Sequence, residues 1–304
     1  MNYTISQLKI FLKIVEHGSI TKASEELHLT QPAVSIQLKN FQKNFKYALT
    51  EIINKKLFVT DFGKEIALAA QNILTELELI NYKSVGYNSD LSGKLKLSIV
   101  STGKYIMPYF LAPFLSKYEA VDLELDVTNK SKVVASLEKN EIDFALVSIL
   151  PENIQINKID LIENQLMLVG NRSVVQEIEK NKRSIASTPL IFREIGSGTR
   201  QTMERFIIKN KFETKKKITL TSNEAVKQAV LAGMGISIMP IIGIKSELAS
   251  GELEIIKVKG LPIKTTWSLI WLKEKKLSPI AQGYIEFLKA NKLQIIEEQF
   301  RMSV

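Results

Sequence analysis

The spacing of apolar residues changes character twice along the chain. Ile5, Leu8, Phe11, Leu12 and Val15 recur at helical intervals and stop at Gly18, which predicts a first helix ended by a glycine. Thr4 and Gln7 have capping-box spacing at its start. Ile20, Ala23 and Leu27, then Leu29, then Val34, Leu38 and Phe41 describe two short amphipathic helices with their apolar faces turned together. His28-Leu29-Thr30 leaves room between them only for a tight turn. Thr30 can cap the second helix, and Pro32 is tolerated in its first turn, where a missing N–H costs nothing. The outward groups are Gln31, Ser35, Ile36 and, a turn on, Lys39, a mixture that suits a major groove. An ordinary helical hairpin has the same spacing, so periodicity alone leaves both readings standing.

Beyond Lys43 the pattern breaks. Leu49 to Thr60 alternates loosely around Asn54-Lys55-Lys56, which predicts a hairpin whose tip, with Lys55 and Lys56, touches phosphates. From Asp61 to about Asn88 one long helix is expected. Ile66, Ala70, Ile73, Leu77 and Ile80 follow intervals of four, three, four and three, a heptad seam that pairs with a second copy or packs on its own domain. A polar hinge, Tyr87 to Gly93, follows. The grammar then becomes strand–helix alternation, with strands expected at 95–100, 123–127, 142–148, 154–162 and 165–169. A second series lies at 189–192, 218–222 and 236–240, and a late strand at 265–272 precedes a helix over 279–290. This alternation predicts parallel sheets in two α/β subdomains, the late elements returning to the first.

The run Gly18-Ser19, Ala23-Ser24, Leu27, Gln31-Pro32-Ala33-Val34-Ser35, Gln37-Leu38-Lys39 resembles the N-terminal signature of LysR-type transcriptional regulators, and the layout fits that family over essentially the whole chain. The resemblance implies an α+β protein with a winged helix-turn-helix over 1–60 and a linker dimerisation helix over 61–89. Two Rossmann-like effector subdomains of type 2 periplasmic-binding-protein architecture follow, one from 90–163 with 265–304 and the other from 164–264. It further implies double-stranded promoter or operator DNA as partner, RNA polymerase as a further one, and a homodimer or homotetramer. Thr30, Gln31, Pro32, Ser35, Ile36, Lys39, Lys55 and Lys56 are the expected DNA contacts. Ile66, Ala70, Ile73, Leu77 and Ile80 are the expected dimerisation seam. Three positions depart from the family pattern. Lys46 replaces the usual glycine, and Thr50 and Ile52 replace the wing's usual Phe and Arg. No arginine precedes Arg172, so phosphate contacts here must come from lysine, a point charge rather than a fork.

The formal net charge is +9, which favours a polyanion or anionic ligands. Segment 39–64 holds six lysines against two acids, while residues 1–92 hold ten lysines against nine acids. The charge is placed rather than spread, although a solvated face reads the same way. With no cysteine and only His17 and His28, no disulfide, no metal site and no cofactor are expected. Ser101-x-x-Lys104 lacks the partner motifs of a penicillin-binding nucleophile. Gly196-Ser197-Gly198 lacks the further residues of a phosphate loop. With no histidine after residue 28, a Ser-His pair in the α/β region is impossible, and a non-enzyme is expected. No export signal opens the chain, and the uncharged run Gln228 to Ile244 is interrupted by glycines and a proline. A cytoplasmic protein with no membrane partner is therefore expected.

Ligands of α/β lobes sit beyond the C-terminal ends of strands, at helix starts. Ser101, Thr102 and Ser148 follow two strands of the first lobe. In the second, Arg193-Glu194-Ile195-Gly196-Ser197-Gly198-Thr199-Arg200 leads into a helix and Asn223 caps another. Ser101, Thr102, Ser148, Gly198, Thr199, Arg200 and Asn223 are the expected effector contacts, and their groups favour a small anionic metabolite. The Gly-Ser-Gly-Thr-Arg run also resembles the branch governing carbon-fixation and sulfur-assimilation genes, which implies phosphorylated, carboxylated or sulfur-containing inducers. The same residues could merely cap helices, and Arg200 could be a surface or salt-bridge residue. The rival readings are a two-lobed solute-binding protein, a regulator of another family with a helical N-terminal interaction domain, and an enzyme fused to a DNA-binding module.

Overall fold

The computed structural model describes residues 3–54, 56–85, 91–213 and 215–300, which fall into two compact units. The N-terminal unit is helical. Helix α1 (Ile5–His17) starts at the reciprocal Thr4–Gln7 capping box and ends at Gly18, whose φ of 58° is left-handed. Ser19 caps α2 (Ile20–Glu26), and Thr30 caps α3 (Gln31–Gln42). Strands β1 (Thr50–Ile53) and β2 (Lys56–Val59) pair as an antiparallel hairpin. Helix α4 (Asp61–Val85) follows. The expected spacing becomes one core of Phe11, Ile14, Ala23, Val34, Leu38 and Phe41, to which α4 adds Ala67 and Ala70. Ala23 is fully buried, as close helix approach requires.

The second unit opens with β3 (Gly93–Val100), a 3-10 turn (Ser101–Tyr105), α5 (Met107–Lys117), β4 (Val121–Thr128), α6 (Lys130–Glu138) and β5 (Phe144–Val147). Strand β6 (Ile156–Asn171), α7 (Arg172–Glu179), β7 (Leu190–Arg193), α8 (Gly198–Lys209), β8 (Lys217–Leu220) and α9 (Asn223–Leu231) come next. The chain continues through β9 (Ser237–Pro240), α10 (Lys245–Ser250), β10 (Leu253–Ile255), β11 (Ile263–Leu272) and α11 (Pro279–Phe300). The main sheet runs β10-β6-β11-β5-β3-β4, with β9 also on β6, while β7 and β8 form a separate parallel pair. The first lobe packs Trp267, Tyr284, Phe110, Phe114 and Phe144 to near-zero exposure. The second packs Leu166, Leu168, Phe192, Met203, Ile236 and Ile238.

Three expectations need correcting. The main sheet is mixed, not parallel: β3 pairs in parallel with β4 and β5, but β11 runs antiparallel to β5 and β6. The strands expected at 154–162 and 165–169 are one 16-residue strand, β6. Its polar run Glu163-Asn164-Gln165 looks like a break, yet the strand runs through it with a register shift that moves the buried positions from Ile159 and Leu161 to Asn164 and Leu166. Asn164 is buried and donates from Nδ2 to Thr265 Oγ1 at 2.9 Å, while Glu163 is exposed. Helix α11 continues past Ala290 to Phe300, whose ring stacks on Phe110 at 5.7 Å.

Candidate functional site

Helix α3 divides its side chains cleanly. Val34, Leu38 and Phe41 are buried, while Gln31, Pro32, Ile36 and Lys39 are exposed and Ser35 is half-buried. Thr30 Oγ1 accepts from the Ala33 N–H, so it is committed to the cap. The exposed face is therefore the one predicted from spacing. Lys56 opens β2 and is exposed; Lys55 lies outside the described residues. Lys13 Nζ lies 2.7 Å from a Glu16 carboxylate oxygen and 2.6 Å from one of Glu26, and His17 Nε2 also contacts the Glu26 carboxylate. These bonds tie the last turn of α1 to α2. The hydrogen bond from Lys13, then that from His17, hold the Glu26 carboxyl down at about 2. Glu16, His17 and Glu26 form the group among the described residues with metal-ligand spacing, but the Lys13 ammonium already stands where a cation would.

The predicted seam on α4 divides. Ala70 is buried in the unit's own core and Ile66 packs against it. Ile73 and Ile80 are exposed and Leu77 half-exposed. The first half of the seam is thus already used within the chain. The second half continues the heptad spacing without cover in the described residues.

In the second unit, three chain segments that begin helices converge on a small pocket. The 3-10 turn after β3 brings Ser101 and the buried Thr102. The start of α6 brings Asn129 and Lys130, and the start of α8 brings Ser197, Gly198 and Thr199. Ser148, just past β5, and Arg193, ending β7, complete the wall. Five of the predicted residues therefore meet: Ser101, Thr102, Ser148, Gly198 and Thr199. Arg200 does not join them. Its Nε donates to Glu204 Oε1 at 2.8 Å, its Nη1 donates to the Arg193 carbonyl at 3.0 Å, and its guanidinium lies 5.6 Å over the Phe192 ring. Arg200 is the third residue of α8, and its side chain tilts back to the end of β7 rather than into the cavity. Asn223 is also outside the cavity. It is the first residue of α9, capped by Ser222 instead, and its buried Nδ2 donates to Tyr105 Oη at 3.5 Å.

The residue that spacing missed is Arg193. Its side chain is only 4% exposed, and it grips Glu194 in a fork, Nε to Oε2 at 2.8 Å and Nη2 to Oε1 at 2.9 Å. Nη1 crosses the cleft to Ser101 Oγ at 2.9 Å. Lys130, from the opposite lobe, donates to Gln201 Oε1 at 3.0 Å. Burial lowers the Lys130 pKa, and the positive charge of Arg205 adds to the effect. The Ser131 N–H also reaches the Gly196 carbonyl at 3.1 Å. Gly196 has φ +89°, and a Cβ there would stand 2.7 Å from Ser131 Oγ, so glycine is required for this approach. A buried guanidinium, an ammonium and several helix starts line one small pocket, groups of the kind that anions bind.

A helix-turn-helix unit followed by a two-lobed α/β cleft defines a DNA-binding transcriptional regulator with an effector domain. The bacterial regulatory helix-turn-helix model of the lysR family matches residues 5–64, and the LysR substrate binding domain model matches residues 88–292. The chain belongs to the LysR family. It is 34% identical over 292 residues to the HTH-type transcriptional activator CmpR of Synechocystis sp., covering 95% of this chain and 96% of the relative. To the RuBisCO operon transcriptional regulator of Allochromatium vinosum it is 32% identical over 293 residues, 95% of this chain and 96% of that one. The regulatory domain of Synechocystis CcmR, solved in complex with 2-phosphoglycolate (2-PG), aligns with a TM-score of 0.58 at 32% identity. It covers 66% of this chain and 98% of the CcmR domain. These relatives lie in the carbon-fixation branch, in keeping with the Gly-Ser-Gly-Thr-Arg run. Among the described residues no helix is long and apolar enough to cross a membrane.

Proposed function

We propose that this regulator is switched by a small phosphorylated or carboxylated acid held between its two lobes, and that 2-PG or a close analogue is the effector. The observation that carries this is the buried Arg193 guanidinium at the junction of three helix starts, with Lys130 opposite. In this reading Ser101, Thr102, Ser148, Gly198 and Thr199 bond the anion's oxygens, and Arg193 and Lys130 balance its charge. The protein is cytoplasmic and catalyses nothing. Gln31, Pro32, Ser35 and Ile36 meet base edges, while Lys39, Lys55 and Lys56 meet phosphates. The exposed part of the α4 seam, Ile73, Leu77 and Ile80, pairs two copies, and the effector domains pair separately into a tetramer. The four segments 1–60, 61–89, 90–163 with 265–304, and 164–264 are its working parts. Effector binding acts on DNA through unequal affinity for two lobe arrangements.

Isothermal calorimetry with 2-PG on wild type, Thr102→Val and Thr199→Val tests the site. Each variant loses one hydroxyl bond to a charged ligand, so affinity should fall roughly tenfold. Unchanged affinity in both variants would move the ligand out of this cleft.

A further inference from the structure

The outward face of α3 is less polar than contact with water alone requires. Ile36 is 58% exposed, and Leu29, just ahead of the Thr30 cap, is 46% exposed. Pro32 precedes Ile36 by four residues, so the two lie one above the other on the same outward face. They are flanked by the Gln31 amide and the Lys39 ammonium. The unit contains no arginine, so the usual bidentate guanidinium contact to guanine is absent from this face. Among base edges in the major groove, the thymine C5-methyl is the one apolar group.

The geometry points to Ile36, backed by Pro32, as the residue that selects thymine at a fixed step of each half-site by contact with its methyl group. This rests on α3 being the helix that enters the groove. Cytosine at that step lacks the methyl and presents an amino donor that isoleucine leaves unpaired. Thymine is therefore favoured both by apolar contact and by the penalty on its competitor.

The test begins with a duplex selected from a random-sequence pool by the full-length protein. Its thymines are then replaced one at a time by deoxyuridine, which removes the methyl and nothing else, and affinities are read by gel-shift competition. One thymine per half-site should be sensitive, its loss weakening wild type about fourfold, the worth of one buried methyl group. Ile36→Ala should bind the thymine and deoxyuridine duplexes equally at that step, and Ile36→Val should keep a reduced difference. Because Ile36 faces solvent, the thermal midpoint of Ile36→Ala should match wild type. A deoxyuridine effect that survives unchanged in Ile36→Ala, or no sensitive thymine at all, overturns the assignment. Gln31→Ala, run alongside, separates the two levels. If it costs affinity equally on selected and random DNA, the groove assignment of α3 fails and takes this inference with it.

Discussion

Positive charge is deployed on opposite terms in the two units. In the helix-turn-helix unit it is carried entirely by lysines such as Lys39 and Lys56, which stand in solvent. In the effector cleft it is carried by Arg193, nearly sealed from solvent and forked onto Glu194. An exposed ammonium gains little from any one partner and is screened by salt. It acts by number, through release of counterions from a polyanion. A buried guanidinium acts by fixed geometry, and the carboxylate beside it offsets part of the cost of removing it from water. One arrangement suits a long repeating charge and the other a single small anion.

If the first arrangement works by number, its largest dependence is on copies of the unit. Ile73→Asp with Leu77→Asp puts unpaired charge into the proposed helix pair. Light scattering should show the mass falling to that of a smaller assembly. Operator affinity should drop about 10²–10⁴-fold as the second half-site is lost. An unchanged mass would remove α4 as the pairing element. Next in size is Arg193→Lys, which keeps the charge but loses the fork. Calorimetric affinity for 2-PG should fall roughly 10–100-fold, with ligand-free DNA binding retained. Equal affinity for 2-PG would mean that geometry is not what the cleft supplies. The smallest effects are within the DNA face. Gln31→Ala should cost about 1–3 kcal/mol on a selected operator and little on random DNA. Lys56→Ala should weaken both similarly and flatten the salt dependence by about one counterion.

How much of this could be read from sequence differs between the units for a physical reason. Local periodicity and caps largely determine the helix-turn-helix, so Gly18, Thr30, Val34 and Leu38 announced its helices and its outward face. The cleft is made by strands far apart in the chain. The ends of β3, β5 and β7 were legible as places for hydroxyls and glycines, and five of the predicted residues do line the cavity. Which of two nearby arginines turns inward was not legible. Arg193 ends a fully buried strand and follows the sheet into the cleft, whereas Arg200 sits in the first turn of a helix and folds back on Phe192. A cue was available, since Arg193 stands beside Glu194 at the strand end, and an arginine taken into a core needs an acid. The seam on α4 misled in its first half because heptad spacing does not say whether the partner is another chain or the same one. Ala70 is buried by the core of its own unit.

β6 carries its own consequence. It passes unbroken from one lobe to the other, paired with β11 along its first part and with β9 and β10 further on. The lobes are therefore joined by bending material rather than by a loose pivot. A change in the angle between them would have to twist paired strands, and the ladder would resist it. Such twist concentrates where the ladder is weakest. The register shift between Thr266 and Ser268 is one such place. Beside it, the buried Asn164 Oδ1 lacks a hydrogen-bond partner among the described residues. This short stretch contributes no residue to the lining of the cavity, so loosening or stiffening it would alter the resistance of one lobe to moving against the other without altering a ligand's contacts.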